Sequence, residues 1–111
     1  SIVEVRSGVD VPVIASGGIR SGIDCAKAIA LGADLVGVAL PALRAVERGV
    51  EALKSYLNVL IEQLRGAMFL TGSRSLKDLK RAEVIITGRV KDWLQMRGID
   101  INDYLKRRRT L

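Results

Sequence analysis

The chain has 111 residues and a formal net charge of +6, with 49% apolar and 27% charged residues, an ordinary composition for a globular domain. It contains no histidine, which excludes an imidazole base, a Ser/His nucleophile pair and most zinc sites. Because the single Cys25 cannot form an internal disulfide and no apolar run approaches the roughly 18 residues of a membrane span, we expect a cytoplasmic protein that does not enter a membrane.

The first predicted strand leads into a pair of glycines. The apolar run from Val13 to Ala15 is typical of a buried parallel strand, and Gly17 and Gly18 follow it. Because glycine has no Cβ atom, backbone N–H groups near this pair can approach an anion. A helix is predicted to begin near Ser21, so the positive end of its dipole faces the same place. The alternative interpretation of the two glycines is a tight strand-to-helix turn.

A second strand and a second helix start follow. The helix from Ser21 is predicted to end near Leu31, with Gly32 as its stop, and the apolar run from Leu35 to Ala39 predicts another buried strand. Pro41 then suits the first turn of a new helix. Two strand ends and two helix starts therefore converge, as in the phosphate site that follows the last two strands of a (β/α)8 barrel. This convergence favours phosphate binding over a simple turn.

The remainder of the chain is predicted to be mainly helical. From Val50 to Leu70, apolar residues recur at spacings of three and four, the pattern of one long amphipathic helix. Thr71-Gly-Ser73 ends it. Four further elements are predicted after that break: a helix capped by Ser75 and Asp78, a strand or an extended loop at Val84–Ile86, a helix from Val90 that ends at Gly98, and a basic helix over 101–109.

Four side chains near these elements have interpretations of their own. Arg20 either adds its guanidinium to a bound phosphate or pairs with a carboxylate and orients the loop. Asp24 is interpreted as a helix-start group, because a carboxylate beside a phosphate carries an electrostatic cost. Cys25 is interpreted as packing. Trp93 is a packing anchor of the tail or part of a subunit interface.

The positive charge lies at the C-terminal end. Residues 1–71 carry seven basic and seven acidic side chains, whereas residues 72–111 carry eleven basic and five acidic ones. The run from Lys106 to Arg109 is compatible with a nucleic-acid patch. This stretch has only Trp93 and Tyr104 as aromatic residues and no RNA-binding signature, so we favour a solvated or inter-subunit face over nucleic-acid binding.

Two groups of motifs carry a family resemblance. The run Gly17-Gly-Ile-Arg-Ser-Gly-Ile-Asp24, with Lys27-Ala-Ile-Ala-Leu-Gly-Ala-Asp34 after it, resembles the C-terminal part of FMN-dependent TIM barrels, which include 2-hydroxy-acid oxidases, and of the non-flavin IMP dehydrogenases. Three later motifs are similar to the tail of the type 2 isopentenyl diphosphate isomerases: Leu64-Arg-Gly-Ala-Met-Phe-Leu-Thr-Gly-Ser73, Val84-Ile-Ile-Thr-Gly88 and Trp93-Leu-Gln-Met-Arg-Gly98. This second resemblance is the more specific one and extends from Ser1 to Gly98.

The resemblance implies a fold for the intact protein. A complete (β/α)8 barrel needs about 250 residues. We therefore expect residues 1–111 to be the C-terminal part of a single FMN-binding TIM-barrel domain of the α/β class. Residues 1–70 are expected to supply its last two strand–helix units, and residues 71–111 a basic helical tail. The rest of the barrel is then a required partner, and the chain alone is expected to be inactive.

The resemblance also implies a reaction and a cofactor site. In this family reduced FMN mediates the conversion of isopentenyl diphosphate to dimethylallyl diphosphate, NADPH or another reductant keeps the flavin reduced, and Mg2+ binds the substrate diphosphate. Six residues are expected to form the cofactor site: Gly17, Gly18, Ile19, Arg20, Ala39 and Leu40. The backbone N–H groups of the last five are expected to hold the FMN phosphate. No catalytic or metal-binding residue is assigned, because those motifs belong to more N-terminal segments. A homo-oligomer is expected.

Two other functions stay open. A 2-hydroxy-acid oxidase uses the same phosphate site for a hydride transfer, but the chain lacks both a histidine and the arginine expected just before the glycine pair in such an oxidase. The other alternative is a non-catalytic phosphate-binding fragment, for which weak, salt-sensitive anion binding without a flavin signal is expected.

Overall fold

The computed structural model of the protein describes residues 1–110, so that Leu111, the last residue of the predicted tail, lies outside the described residues. The elements follow in this order: α1 (Ile2–Gly8), β1 (Ile14–Ala15), α2 (Gly22–Ala30), β2 (Leu35–Val36), α3 (Leu40–Glu47), α4 (Val50–Leu70), α5 (Leu76–Lys80), α6 (Gly88–Met96), α7 (Ile101–Arg107) and a short 3-10 helix (Arg108–Thr110).

The two strands are parallel neighbours, as their sequence pattern predicts. Ile14 pairs with Leu35, and Ala15 pairs with Val36. Both strands are shorter than predicted, and the expectation that they are buried is wrong for one face. Ala15 is buried, whereas Ile14 is 64% exposed and Leu35 is 59% exposed. Successive side chains of a strand point to opposite faces of the sheet, so Ile14 and its partner Leu35 share the face that the described helices leave open.

The predicted helix starts at Ser21 and Ser75 are confirmed. The Ser21 hydroxyl accepts a hydrogen bond from the Asp24 N–H at 3.3 Å, and the Ser75 hydroxyl accepts one from the Asp78 N–H at 3.1 Å. These side chains satisfy backbone donors that the first turn of a helix leaves free. The long helix α4 has the predicted bounds. Val84–Ile86, for which strand and loop were alternatives, forms neither a strand nor a helix.

The helices pack around three small buried clusters. Ala15, Ala28 and Ala33 join the sheet to α2. Ala26 and Ile29, on another face of α2, pack with Leu79 of α5, and Leu64 and Met68 of α4 lie against them. Val3, Leu94 and Tyr104 join α1, α6 and α7. The tail therefore packs on both strand–helix units and does not extend away from them.

The basic run at the C-terminal end is not a uniformly solvated face, and that expectation is wrong for Arg108. The Arg108 side chain is only 1% exposed, and its guanidinium donates hydrogen bonds to the carbonyls of Ala30, Lys80 and Ala82. These carbonyls lie at the ends of α2 and α5, where a helix leaves its acceptors without intrahelical donors. The Tyr104 hydroxyl donates in the same way to the carbonyl of Leu31, and burial raises the pKa of this phenol.

A partly buried charge cluster fixes the start of β2. The Asp34 carboxylate accepts hydrogen bonds from the Val13 N–H at 2.8 Å and from the Arg6 guanidinium at 3.1 Å, and it also pairs with the Lys80 ammonium. The hydrogen bond from Lys80 is the main reason why the pKa of Asp34 lies below its usual value. The cluster ties α1, the end of α5 and both strands together.

No helix within residues 1–110 combines the length and the apolar character that crossing a membrane requires.

Candidate functional site

The loops after the two strands enclose a cavity of about 490 Å³. It lies where β1 leads into α2 and β2 leads into α3, as the convergence of strand ends and helix starts predicts. All six residues predicted to form the cofactor site line this cavity, together with four that were not predicted as cofactor residues: Gly17, Gly18, Ile19, Arg20, Ala39 and Leu40, then Ser16, Gly37, Pro41 and Arg44.

The glycine pair adopts a backbone conformation that other residues avoid. Gly17 has φ of 85° and Gly18 has φ of 76°, both in the left-handed region. Side chains with a Cβ atom pay a steric cost there, so glycine is the residue that forms this turn without strain. A Cβ at Gly18 would meet no other atom within 4 Å, which means that the space beside it is open to a ligand.

Several backbone N–H groups around the cavity are free, and four of them lie on the expected phosphate-binding residues. The N–H groups of Gly18 and Ile19 on the first loop, and of Ala39 and Leu40 on the second, have no hydrogen-bond acceptor within residues 1–110. Backbone donors in folded proteins almost always have a partner, either in the chain, in water or in a ligand. Because residues with free backbone donors on two loops line the same cavity, the arrangement suits an anion with several oxygen atoms.

The expectation that the Arg20 N–H binds the phosphate does not agree with the structure. It donates to the Asp24 carboxylate at 3.1 Å, so this group already has an acceptor within the chain. The Asp24 carboxylate and the Ser21 hydroxyl together satisfy two donors at the start of α2, which agrees with the interpretation of Asp24 as a helix-start group.

The charges around the cavity favour an anionic ligand. Arg20 and Arg44 line it, no aspartate or glutamate does, and neither guanidinium has an ion-pair partner in the described part of the chain. The structure therefore gives no support to the pairing of Arg20 with a carboxylate of residues 1–110. Arg44 was missed by the sequence analysis, although it follows Leu40 by four residues and so lies one helical turn away on the same face of α3.

Two other residues with a possible chemical role lie away from this cavity. Cys25 is buried, and desolvation together with the nearby Asp24 raises the pKa of its thiol, which disfavours the thiolate form that a nucleophile needs. Trp93 is half exposed; its indole N–H donates to the Glu4 carboxylate, and the Arg97 guanidinium lies 6.0 Å from its ring centre. It therefore anchors α6 to α1. No group of three or more metal-ligating side chains occurs within residues 1–110.

A larger cavity of about 690 Å³ lies in the tail, beside Val84–Ile86 and the start of α7. Asp100 lines it, and the carboxylate of this residue already accepts the Asp103 N–H as the helix cap. Lys91 also lines this cavity, but the acidic Asp100 offsets its charge and most of the wall is aliphatic, so this cavity lacks the excess of positive charge that favours an anion. The smaller cavity between the two strand–helix loops is therefore the candidate functional site.

Comparison with known proteins identifies the family. The model of the FMN-dependent dehydrogenase family matches residues 1–86. The chain therefore belongs to the FMN-dependent dehydrogenase family. In structure it is similar to a (putative) lactate oxidase of Pediococcus acidilactici, with a TM-score of 0.73 and 29% identity over 78% of this chain and 25% of the oxidase chain. The family and this neighbour indicate the TIM-barrel fold class.

Three curated relatives of this chain share one name. The chain is 51% identical to an isopentenyl-diphosphate delta-isomerase of Methanothermobacter thermautotrophicus, over 96% of this chain and 31% of the relative. It is 51% identical to that of Metallosphaera sedula, over 94% of this chain and 29% of the relative. It is 43% identical to that of Pyrococcus furiosus, over 100% of this chain and 28% of the relative. The chain thus spans less than a third of the length of these isomerases.

Proposed function

We propose that the protein to which this chain belongs is an FMN-dependent isomerase that converts isopentenyl diphosphate to dimethylallyl diphosphate. The chain is its C-terminal part: residues 1–70 provide the last two strand–helix units of a TIM barrel and residues 71–111 its basic helical tail. The observation that carries the proposal is the 43–51% identity with isomerases over nearly the whole chain, tail included. The exposed sheet face, with Ile14 and Leu35, supports a larger barrel around these two strands.

In this proposal the cavity between the two loops holds the FMN phosphate. The free N–H groups of Gly18 and Ile19 bind it from one side, and those of Ala39 and Leu40 bind it from the other. Gly17 provides the turn, and Arg20 adds its guanidinium. Two helix N-termini and the absence of acidic lining residues in the described part of the chain support a dianionic group at this place. Arg44, on the same wall, adds further positive charge.

FMN supplies the acid–base chemistry of the allylic proton shift when it is bound. The residues of this chain would hold the phosphate end of the cofactor and anchor it in the barrel. Histidine is absent from the chain, which agrees with a reaction in which this segment binds and orients and does not itself move a proton. The chain alone is accordingly inactive.

The finer parts of the proposal come from the resemblance of the tail motifs. They are Mg2+ bound with the substrate diphosphate, NADPH as the reductant of the flavin, and a homo-oligomeric assembly. A cytoplasmic location is also part of the proposal, because the single Cys25 cannot form an internal disulfide. Residues of other segments bind the metal ion and the diphosphate.

The test is an assay of the complete protein that contains this sequence. Purified protein is incubated without oxygen with FMN, NADPH, Mg2+ and isopentenyl diphosphate, and dimethylallyl diphosphate is measured by proton NMR. Isomerisation that requires FMN supports the proposal. If the protein binds flavin and oxidises a 2-hydroxy acid but does not isomerise isopentenyl diphosphate, the oxidase alternative replaces the proposal. Protein that binds phosphate but no flavin would leave a phosphate-binding barrel without the proposed activity.

A further inference from the structure

Helix α4 contacts the first loop of the cavity through two side chains. The Tyr56 hydroxyl donates a hydrogen bond to the Arg20 carbonyl at 2.9 Å. Seven residues later on α4, the Gln63 Oε1 accepts a hydrogen bond from the Gly22 N–H at 2.8 Å. A separation of seven residues is two helical turns, so both side chains project from the same face of α4. They bond to the backbone on either side of Ser21, the residue that caps α2.

The start of α2 also lies directly on the α4 backbone. A Cβ at Gly22 would come within 2.2 Å of the Leu60 carbonyl oxygen and within 2.5 Å of the Gln63 Cβ and of the Leu64 nitrogen. Contacts this short do not occur between real side chains and backbone, so only glycine permits the two helices to approach so closely. The position of the first turn of α2 is therefore set by α4, an element that does not itself line the cavity.

Three successive peptide units of the loop are each held by one side chain. The Asp24 carboxylate accepts the Arg20 N–H, which belongs to the peptide unit between residues 19 and 20. The Tyr56 hydroxyl donates to the Arg20 carbonyl in the unit between residues 20 and 21. The Gln63 side chain accepts the Gly22 N–H in the unit between residues 21 and 22. The two N–H groups immediately before this fixed segment, those of Gly18 and Ile19, have no acceptor within residues 1–110. The fixed segment thus determines the direction in which the free donors point.

We propose that Tyr56 and Gln63 are positioning residues for the FMN phosphate, acting through the backbone of residues 20–22 without touching the cofactor. The inference rests on the proposed function, because it takes the phosphate to bind at Gly18 and Ile19. A rigid, pre-oriented donor set binds its anion more tightly than a mobile one, since less ordering is left to the binding step. Removal of either hydrogen bond therefore weakens binding of the phosphate and leaves contacts with the flavin ring unchanged.

The experiment compares FMN with riboflavin, which has the same ring system and no phosphate. Apoprotein of the complete protein is titrated with each flavin, and flavin fluorescence gives the two dissociation constants. Tyr56→Phe removes only the hydroxyl, and Gln63→Met removes the acceptor at similar side-chain length. Thr71→Val is the matched control, because the Thr71 hydroxyl also bonds to backbone carbonyls of α4, at the end away from the loop. The phosphorus NMR signal of bound FMN is recorded for each protein.

We expect Tyr56→Phe and Gln63→Met each to raise the FMN dissociation constant about fivefold, as the loss of one hydrogen bond allows. Riboflavin binding stays at the wild-type value, the phosphorus signal of bound FMN moves, and Thr71→Val behaves as wild type. An equal loss of FMN and riboflavin affinity, or no loss of either, overturns the positioning role while the phosphate site stands. A wild-type protein that does not prefer FMN to riboflavin overturns both the positioning role and the phosphate site.

Discussion

The Arg108 guanidinium donates a hydrogen bond to the Ala30 carbonyl at 2.8 Å, across 78 residues of sequence. This bond joins the C-terminal end of the chain to the last turn of α2, the helix whose first turn borders the candidate site. The tail thereby contributes to the position of α2 from the end opposite to the cavity. The buried guanidinium keeps its proton, although desolvation lowers its pKa, because arginine is not deprotonated in proteins.

Arg108→Ala is expected to lower the free energy of unfolding by about 3 kcal/mol, because the carbonyls of Ala30, Lys80 and Ala82 lose a charged donor in a buried place. Urea denaturation of the complete protein measures the loss. Arg109→Ala is the control, since the Arg109 side chain is half exposed and lies 4.0 Å from Glu83; it is expected to cost less than about 1 kcal/mol. Equal effects of the two variants would show that Arg108 has no special role.

Gly22 and Gly66 are expected to respond to alanine in opposite directions. Gly22→Ala places a Cβ against the α4 backbone and is expected to destabilise the protein by about 1–3 kcal/mol. Gly66 lies inside α4 with no atom within 4 Å of its would-be Cβ, so Gly66→Ala is expected to stabilise by about 0.5–1 kcal/mol. Thermal unfolding checks both changes. A neutral Gly22→Ala would mean that α2 and α4 are not in close contact.

The Asp34 cluster is expected to make stability depend on pH in the acid range. The pKa of Asp34 is lowered in the folded state from its usual 3.8, so its contribution is complete above about pH 5 and is lost as the pH falls through the folded pKa. Wild type is expected to exceed Asp34→Asn in melting temperature at about pH 6, with the difference shrinking toward about pH 3. Asp10→Asn, at an exposed position, serves as the control. A difference that does not change with pH would contradict the pairing of Asp34 with Lys80 and Arg6.

The strand–helix units and the cavity could be predicted because their signals are local in the sequence. Gly17 and Gly18 follow an apolar run directly, Ser21 and Asp24 are three residues apart, and Pro41 lies in the first turn of its helix. Short-range patterns of this kind specify turns, caps and helix starts. They located all six predicted cofactor residues around one cavity.

The long-range contacts around the cavity could not be predicted, because no short-range sequence pattern marks them. Tyr56 reaches the Arg20 carbonyl across 36 residues, Gln63 reaches Gly22 across 41, and Lys80 reaches Asp34 across 46. Nothing in the neighbourhood of these residues marks them as different from other polar side chains on helices. The apolar runs of the strands did not show what covers Ile14 and Leu35, because an apolar run shows that a strand can be buried and not which part of the protein covers it.

The central claim, that the loop after β1 binds the FMN phosphate, is tested most directly by Gly18→Val in the complete protein. A branched side chain at a φ of 76° distorts the turn that presents the Gly18 and Ile19 donors and fills the space beside them. The measurement is the dissociation constant of FMN by fluorescence titration of the apoprotein. We predict a rise of at least about a hundredfold, with riboflavin binding retained. FMN affinity equal to that of wild type would contradict the claim and show that the cofactor phosphate binds elsewhere.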